Sequence, residues 1–184
     1  MVWLSRHGRK STEWVQIGNE ITGGMLWPLG KYDQLDNLAA LLKAGHDAVK
    51  SVDGRIKVML HIDSGGNNAT SRWWFDNMTQ RGVTFDVIGQ GSFSDLQGNV
   101  NDLATRYDKD VIVVETAYPW TTSDGDPEPD SMTNVGTSPY PQTPAGQAQF
   151  LGAVRPVGQQ HAVRFPRQRT VVAGCVPAAL ARRG

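Results

Sequence analysis

The chain has 184 residues, which leaves room for one domain of ordinary size and hardly for two. Its 18 Lys and Arg residues balance its 18 Asp and Glu residues, so the charge predicts neither a nucleic-acid partner nor an anionic membrane and fits a neutral substrate. The one cysteine, Cys175, cannot form an internal disulfide, and no apolar run is long enough to span a membrane. The first residues, MVWLSRHGRKSTEW, lack the apolar segment of a signal peptide.

Short β-branched apolar runs alternate with amphipathic segments between Trp14 and Gly152. The runs predict four parallel strands, at residues 15–20, 56–63, 84–89 and 111–116. Between the strands, apolar residues recur at helical spacing, at Leu35, Leu38, Ala39 and Leu42, then Trp73, Trp74 and Met78, then Leu96, Val100, Leu103 and Ala104. Serial βα units build either a doubly wound sheet or a (β/α)₈ barrel, and both place function at the carboxyl ends of the strands.

A loop at residues 119–144, rich in Pro, Asp, Ser and Thr, follows the fourth strand, and a short helix is predicted at 144–151. From Gly152 onward the chain has six Arg and no Asp or Glu. We expect this basic tail, residues 152–184, to lie outside the fold, either as a genuine extension or as an out-of-frame translation of GC-rich DNA. Residues 1–13 are left unassigned.

Two glutamates end predicted strands, Glu20 after Gly18 and Asn19, and Glu115 after the apolar run VIVV. Retaining glycoside hydrolysis needs two carboxyl groups about 5 to 5.5 Å apart, one to protonate the leaving oxygen and one to attack the anomeric carbon. A carboxylate at the end of so apolar a run needs a partner or a function, because burying it alone costs several kcal/mol. From spacing alone, solvated carboxylates or ion pairs with Lys and Arg fit equally well.

Longer strings narrow the choice: VQIGNEITGGMLWPLG, NLAALLKAG, VMLHID, WWFD, FDVIG and DLATRYDKDVIVVETAYPWT. Together they resemble the arabinogalactan endo-β-1,4-galactanases, glycoside hydrolase family 53, over residues 14–151. The resemblance implies a fragment of a (β/α)₈ TIM barrel covering about strands four to seven. It also implies Glu20 as general acid/base, Glu115 as nucleophile and Asn19 as a donor to the sugar 2-hydroxyl.

The same resemblance implies a secreted enzyme without an organic cofactor, acting on galactan or arabinogalactan. His61 and Asp63 would orient the substrate or hold a catalytic glutamate, although structural support fits them equally well. Trp27, Tyr118 and Trp120 follow the two catalytic strands, and we expect exposed rings there to stack on galactose. For Trp73 and Trp74, on a helix, packing is the expected role.

Four acidic residues alternate in the loop after Glu115, namely Asp124, Asp126, Glu128 and Asp130. Hard cations such as Ca²⁺ take oxygen ligands from loops of this kind. By resemblance to some bacterial members of the family, the alternation predicts a structural Ca²⁺ site. A solvated acidic loop is the alternative interpretation.

The chain departs from the family in three places. Residues 89–95 read GQGSFSD, where the family has an aromatic signature that lines the sugar cleft. Nothing before Val15 resembles its first three strands, and nothing after Leu151 resembles its eighth. These departures keep a second hypothesis open, a non-catalytic remnant that at most binds carbohydrate, and unpaired edge strands would favour oligomerisation. A clan relative acting on mannan, cellulose or xylan is a third, weaker interpretation.

Overall fold

The computed structural model describes residues 12–91, 96–121 and 138–157. Its elements in chain order are β1 Trp14–Gln16, β2 Gly24–Met25, β3 Gly30–Lys31, α1 Leu35–Val52, β4 Lys57–Ile62, α2 Asn68–Gln80, β5 Val87–Gly91, α3 Leu96–Tyr107, β6 Asp110–Glu115 and α4 Pro144–Val157. A short 3₁₀ turn, Ile21–Gly23, lies between β1 and β2. The strands β1, β4, β5 and β6 form one parallel sheet in that order, and β2 pairs with β3 as a small antiparallel hairpin.

The two faces of the parallel sheet differ in what covers them. One face and three helices share a continuous apolar core, which contains Leu38, Leu42, Leu60, Ile62, Trp74, Phe75, Met78, Ile88, Val100, Leu103 and Val111. The other face carries a separate small cluster, Met59, Val87 and Ile112. A doubly wound sheet reverses its strand order and takes helices on both faces, whereas strict serial order with the helices on one face is an arc of a barrel. We call the face opposite these three helices the inner face.

All four predicted parallel strands are present; two of them, β4 and β6, differ from the predicted bounds by one residue at each end, and the other two differ by more. The first ends at Gln16 instead of residue 20, because Gly18 and Glu20 have positive φ values of 76° and 48°, which an extended strand does not contain. The third begins at Val87 instead of residue 84 and continues to Gly91. The hairpin of β2 and β3 was not predicted at all.

The last helix is longer than predicted. The helix expected at 144–151 runs on to Val157, so residues 152–157 are helical. The change in composition at Gly152 does not end the helix, because a single glycine weakens a helix by only about 1 kcal/mol relative to alanine. Residues 1–11 and the rest of the basic tail, 158–184, lie outside the described residues.

Candidate active site

Glu20 lies in a tight turn just beyond the carboxyl end of β1. Its backbone is in the left-handed region, with φ 48° and ψ 50°, and the 3₁₀ turn begins at the next residue. Ile21 is 1% exposed, and its carbonyl accepts a hydrogen bond of 3.1 Å from the buried indole Nε1 of Trp74. A non-glycine residue in this conformation costs about 1–3 kcal/mol and persists only where its surroundings fix it. Trp74, on α2, provides that fixation from the core and has the predicted packing role.

Glu115 reaches the inner face through a shift in strand register. Gln90 pairs with Val113, so regular pairing would place Val114 opposite Gly91, but Gly91 is opposite Glu115. One extra residue on β6 therefore turns Glu115 away from the helix-covered face. Its Cβ lies 3.8 Å from the point that a Cβ on Gly91 would occupy, and its side chain is 40% exposed. Shifts of this kind are a common way to aim a side chain beside an active site.

His61 stands between the two glutamates. It is fully buried, and its Nδ1 lies 3.2 Å from Asn19 Oδ1, 3.5 Å from the Glu20 backbone nitrogen and 4.0 Å from Glu115 Oε1. One nitrogen cannot both donate to Asn19 and accept from Glu20, so we assign the proton to Nδ1, which donates across the shorter contact. Nε2 has no hydrogen-bond partner among the described residues. One imidazole thus contacts both halves of the site.

The side chain of Asn19 is oriented by two neighbours. Its Oδ1 accepts from Gln16 Nε2 at 2.9 Å as well as from His61 Nδ1. Gln16 Nε2 also donates to the Gly18 carbonyl at 2.8 Å, which steadies the turn. With Oδ1 occupied, the Nδ2 amide is left as the donor for a ligand, and it has no recorded acceptor in the part of the chain that the structure describes. An Nδ2 donor facing a ligand suits the predicted hydrogen bond from Asn19 to a sugar hydroxyl.

The surroundings shift the pKa values of Glu20 and His61. Burial raises the pKa of Glu20 above its ordinary value, and the negative charges of Glu115 and Asp63 raise it further. Burial lowers the pKa of His61, against the opposing attraction of Glu115 and Asp63. A raised pKa suits a group that must begin a reaction protonated. A neutral His61 keeps its directional hydrogen bond without adding a charge.

Asp63 directly follows β4 and is exposed at the same edge of the sheet. Its backbone N–H donates to Thr22 Oγ1 at 3.2 Å, and Thr22 Oγ1 lies 3.3 Å from Ser64 Oγ. These contacts tie the end of β4 to the turn that follows Glu20. The structure therefore brings Asp63 together with the two glutamates, as the strand ends predict.

The predicted stacking residues divide into two groups. Trp27 and Trp120 are 63% and 51% exposed and remain available to a ligand. Tyr118 is 1% exposed, stacks on Phe150 with ring centroids 4.6 Å apart, and donates its hydroxyl to the Tyr140 carbonyl at 2.5 Å. The prediction that Tyr118 stacks on sugar is therefore wrong, because α4 and its preceding segment cover the ring. Trp73, expected to pack, is 43% exposed on α2.

The predicted calcium ligands, Asp124, Asp126, Glu128 and Asp130, lie outside the described residues. Within residues 12–91, 96–121 and 138–157, no three His, Cys, Asp or Glu side chains are placed to hold a metal ion. None of the helices in those ranges combines the length and apolar character needed to cross a bilayer.

Sequence reasoning missed Gln16 and Gly91 as parts of the site. A Cβ on Gly91 would lie 3.2 Å from His61 Nε2, so the absence of a side chain there leaves room for the imidazole. The available signal was the pair of glycines in the apolar run VIGQG, because glycine inside a strand marks an irregularity or a close approach.

A serial parallel sheet with three helices on one face and polar side chains gathered at the carboxyl ends of its strands defines the chain as part of a (β/α)₈ barrel. The sequence model of Glycosyl hydrolase family 53 matches residues 2–163, and the chain belongs to that family.

Individual relatives agree. An uncharacterized protein in the bgaB 5′ region of Niallia circulans is 44% identical over 154 residues, 74% of this chain and 42% of that protein. The arabinogalactan endo-beta-1,4-galactanase of Humicola insolens is 35% identical over 155 residues, 76% of this chain and 46% of that enzyme. The GH53 catalytic domain of Ignisphaera aggregans is 35% identical with a TM-score of 0.68, covering 82% of this chain and 46% of that domain.

A solved structure from a study of two fungal beta-1,4-galactanases is 34% identical with a TM-score of 0.66, covering 82% of this chain and 49% of that chain. The chain thus spans about half the length of the relatives it matches. The predicted family and fold class, a fragment of a (β/α)₈ barrel, are confirmed.

Proposed function

We propose that the protein acts as an endo-hydrolase of β-1,4-galactosidic bonds in galactan or arabinogalactan, and that it retains the configuration of the anomeric carbon. The observation that carries the proposal is His61, whose Nδ1 lies within 4.0 Å of both Glu115 Oε1 and the Glu20 backbone. A buried imidazole that contacts the Glu115 carboxylate and the Glu20 backbone, at the carboxyl end of a barrel sheet, fits the two-glutamate chemistry of a retaining glycosidase. The names of the fungal relatives supply the substrate class.

The reaction divides between Glu20 and Glu115 in two displacements. In the first, a Glu115 oxygen bonds to the anomeric carbon, the glycosidic carbon–oxygen bond breaks, and Glu20 gives its proton to the leaving oxygen. In the second, Glu20 takes a proton from water, the water oxygen bonds to the anomeric carbon, and the Glu115 ester bond breaks. The raised pKa of Glu20 favours its protonated starting form. Two inversions leave the configuration unchanged.

The surrounding residues take supporting roles in this proposal. Asn19 Nδ2 donates to the sugar 2-hydroxyl while His61 holds the Asn19 carbonyl. Asp63 accepts from sugar hydroxyls at the edge of the site, and the exposed indoles of Trp27 and Trp120 stack on galactose rings. No organic cofactor enters the reaction. A structural Ca²⁺ in the acidic loop and secretion of the protein are further parts of the proposal, carried by the family resemblance.

The test compares single carboxylate-to-amide variants on β-1,4-galactan. Glu115→Gln abolishes hydrolysis, and Glu20→Gln lowers kcat by about 10²- to 10⁴-fold, the usual contribution of a general acid. Glu13→Gln is the matched control, because Glu13 is exposed at the opposite end of β1 and its recorded contact is a backbone carbonyl bond from Lys57. Circular dichroism checks that each variant folds.

Proton NMR of the first-formed product distinguishes the mechanism. Release of the β-anomer supports retention, and release of the α-anomer contradicts the role of Glu115 as nucleophile. If the parent chain binds galactan but does not hydrolyse it, the non-catalytic alternative is supported instead.

A further inference from the structure

The hairpin that follows Glu20 exposes an unusual amount of apolar surface. Four large apolar or aromatic side chains within seven residues are exposed, Leu26 at 66%, Trp27 at 63%, Leu29 at 69% and Tyr32 at 49%. Single exposed apolar residues are ordinary, but a contiguous group marks a binding surface. We propose that Trp27 and Tyr32, with Lys31 between them, form a stacking platform for sugar units on the leaving-group side of the cleaved bond. We call these three residues the aromatic platform, and the proposal rests on the proposed function.

The same backbone carbonyl anchors the Trp27 ring and the Tyr32 backbone. The Gly23 carbonyl accepts from the Trp27 indole Nε1 at 3.1 Å and from the Tyr32 backbone nitrogen at 3.1 Å. The Lys31 ammonium lies 5.3 Å from the Trp27 ring centroid and 5.6 Å from that of Tyr32, within cation–π range of each. Rings held rigid before a ligand arrives lose little entropy on binding.

The position of the platform sets which end of the substrate it meets. Gly23 ends the 3₁₀ turn that begins directly after Glu20, and a 3₁₀ helix rises about 2 Å per residue, so the anchor lies about 6 Å along the chain from Glu20. The general acid gives its proton to the oxygen of the leaving sugar and therefore adjoins that sugar. A surface continuous with Glu20 meets the leaving-group side, while Glu115 lies under the anomeric carbon.

The chemistry of the platform selects a neutral pyranose. Lys31 Nζ lies 3.7 Å from Asp33 Oδ2, so the positive charge beside the rings is balanced and gives no net attraction for an acidic sugar. The C–H faces of a pyranose pack on an indole, and the ammonium donates to ring hydroxyls at its edge. A second copy of the chain, or another protein, is the competing occupant of such a patch, and the experiment separates these cases.

The first experiment follows the indole resonances of the full chain carrying Glu115→Gln during titration with β-1,4-galactotetraose. Trp27→Phe identifies the Trp27 signal, and the signal of Trp73, exposed on α2, is the internal control. The platform predicts a saturable shift of the Trp27 indole proton with Trp73 unmoved. A Trp27 signal that does not respond overturns the proposal, as does a shift that follows protein concentration without sugar, which would show self-association.

The second experiment measures affinity and cleavage position. Trp27→Ala weakens galactotetraose binding by roughly 2- to 13-fold, the equivalent of a stacking contact of about 0.5–1.5 kcal/mol, whereas Trp73→Ala does not. With reducing-end-labelled galactotetraose, Trp27→Ala also reduces release of disaccharide relative to monosaccharide from the labelled end, because the second leaving sugar loses its contact. An unchanged affinity and cleavage pattern overturns the platform while leaving the hydrolase intact. If the indole signal of Trp27 shifts with galactotetraose but the parent chain does not cleave it, the sugar-binding platform is supported and the proposed function is refuted.

Discussion

Replacing glycine by alanine should have opposite effects on stability at Gly91 and at Gly98. A methyl group on Gly91 would lie 3.2 Å from His61 Nε2, closer than ordinary contact, whereas a methyl group on Gly98, inside α3, meets nothing within 4 Å. Alanine in place of glycine in a regular element gains about 0.5–1 kcal/mol. Overpacking costs about 1–3 kcal/mol, so Gly91→Ala is destabilising by about 1 kcal/mol net and Gly98→Ala is stabilising by about the same amount.

The two variants are compared by urea denaturation with a common m value and by thermal unfolding. For a chain of this size about 1 kcal/mol shifts Tm by about 2–4 °C, so the variants should differ by roughly 4–8 °C with the parent between them. Gly91→Ala should also lower galactan hydrolysis, because the added methyl group displaces His61 from its position beside Asn19 and Glu115, while Gly98→Ala should not. If Gly91→Ala is as stable as Gly98→Ala, the close approach of Gly91 to His61 is refuted.

Two further predictions concern the turn at Glu20. Trp74→Phe removes the indole donor to the Ile21 carbonyl and should cost about 1–3 kcal/mol of unfolding free energy in urea, against a change within about 0.5 kcal/mol for Trp73→Phe, whose ring is exposed. Glu20→Gln should make the chain more stable than the parent at pH 7. A carboxyl whose pKa is raised on folding destabilises the native state once it is ionised, and glutamine carries no such charge. That difference should vanish below about pH 4, the ordinary range of a glutamate pKa, and equal urea midpoints at pH 7 would contradict it.

Periodicity predicted the parallel strands and the helices because each buries a regular apolar stripe, which is a local property of the sequence. The backbone of Glu20 was not predictable in the same way. The run VQIGN reads as a strand, and only the positive φ of Gly18, together with the bond from Trp74 to the Ile21 carbonyl, shows that the chain turns there. The predicted role of Tyr118 was wrong for a related reason, because its ring is buried by Phe150, which lies far along the chain.

Glu115 shows most clearly what a strand pattern leaves undecided. Alternation along β6 puts Val111, Val113 and Glu115 on one face, and both valines pack against the helix-covered core. A regular strand would bury the carboxylate there without a partner, at a cost of several kcal/mol. The register shift opposite Gly91 moves Glu115 to the inner face, where its side chain is 40% exposed and lies 4.0 Å from His61. A shift of one residue in strand pairing therefore decides whether this carboxylate is buried in the core without a partner or is accessible to a substrate. The glycine opposite it leaves room for this arrangement beside the buried imidazole of His61.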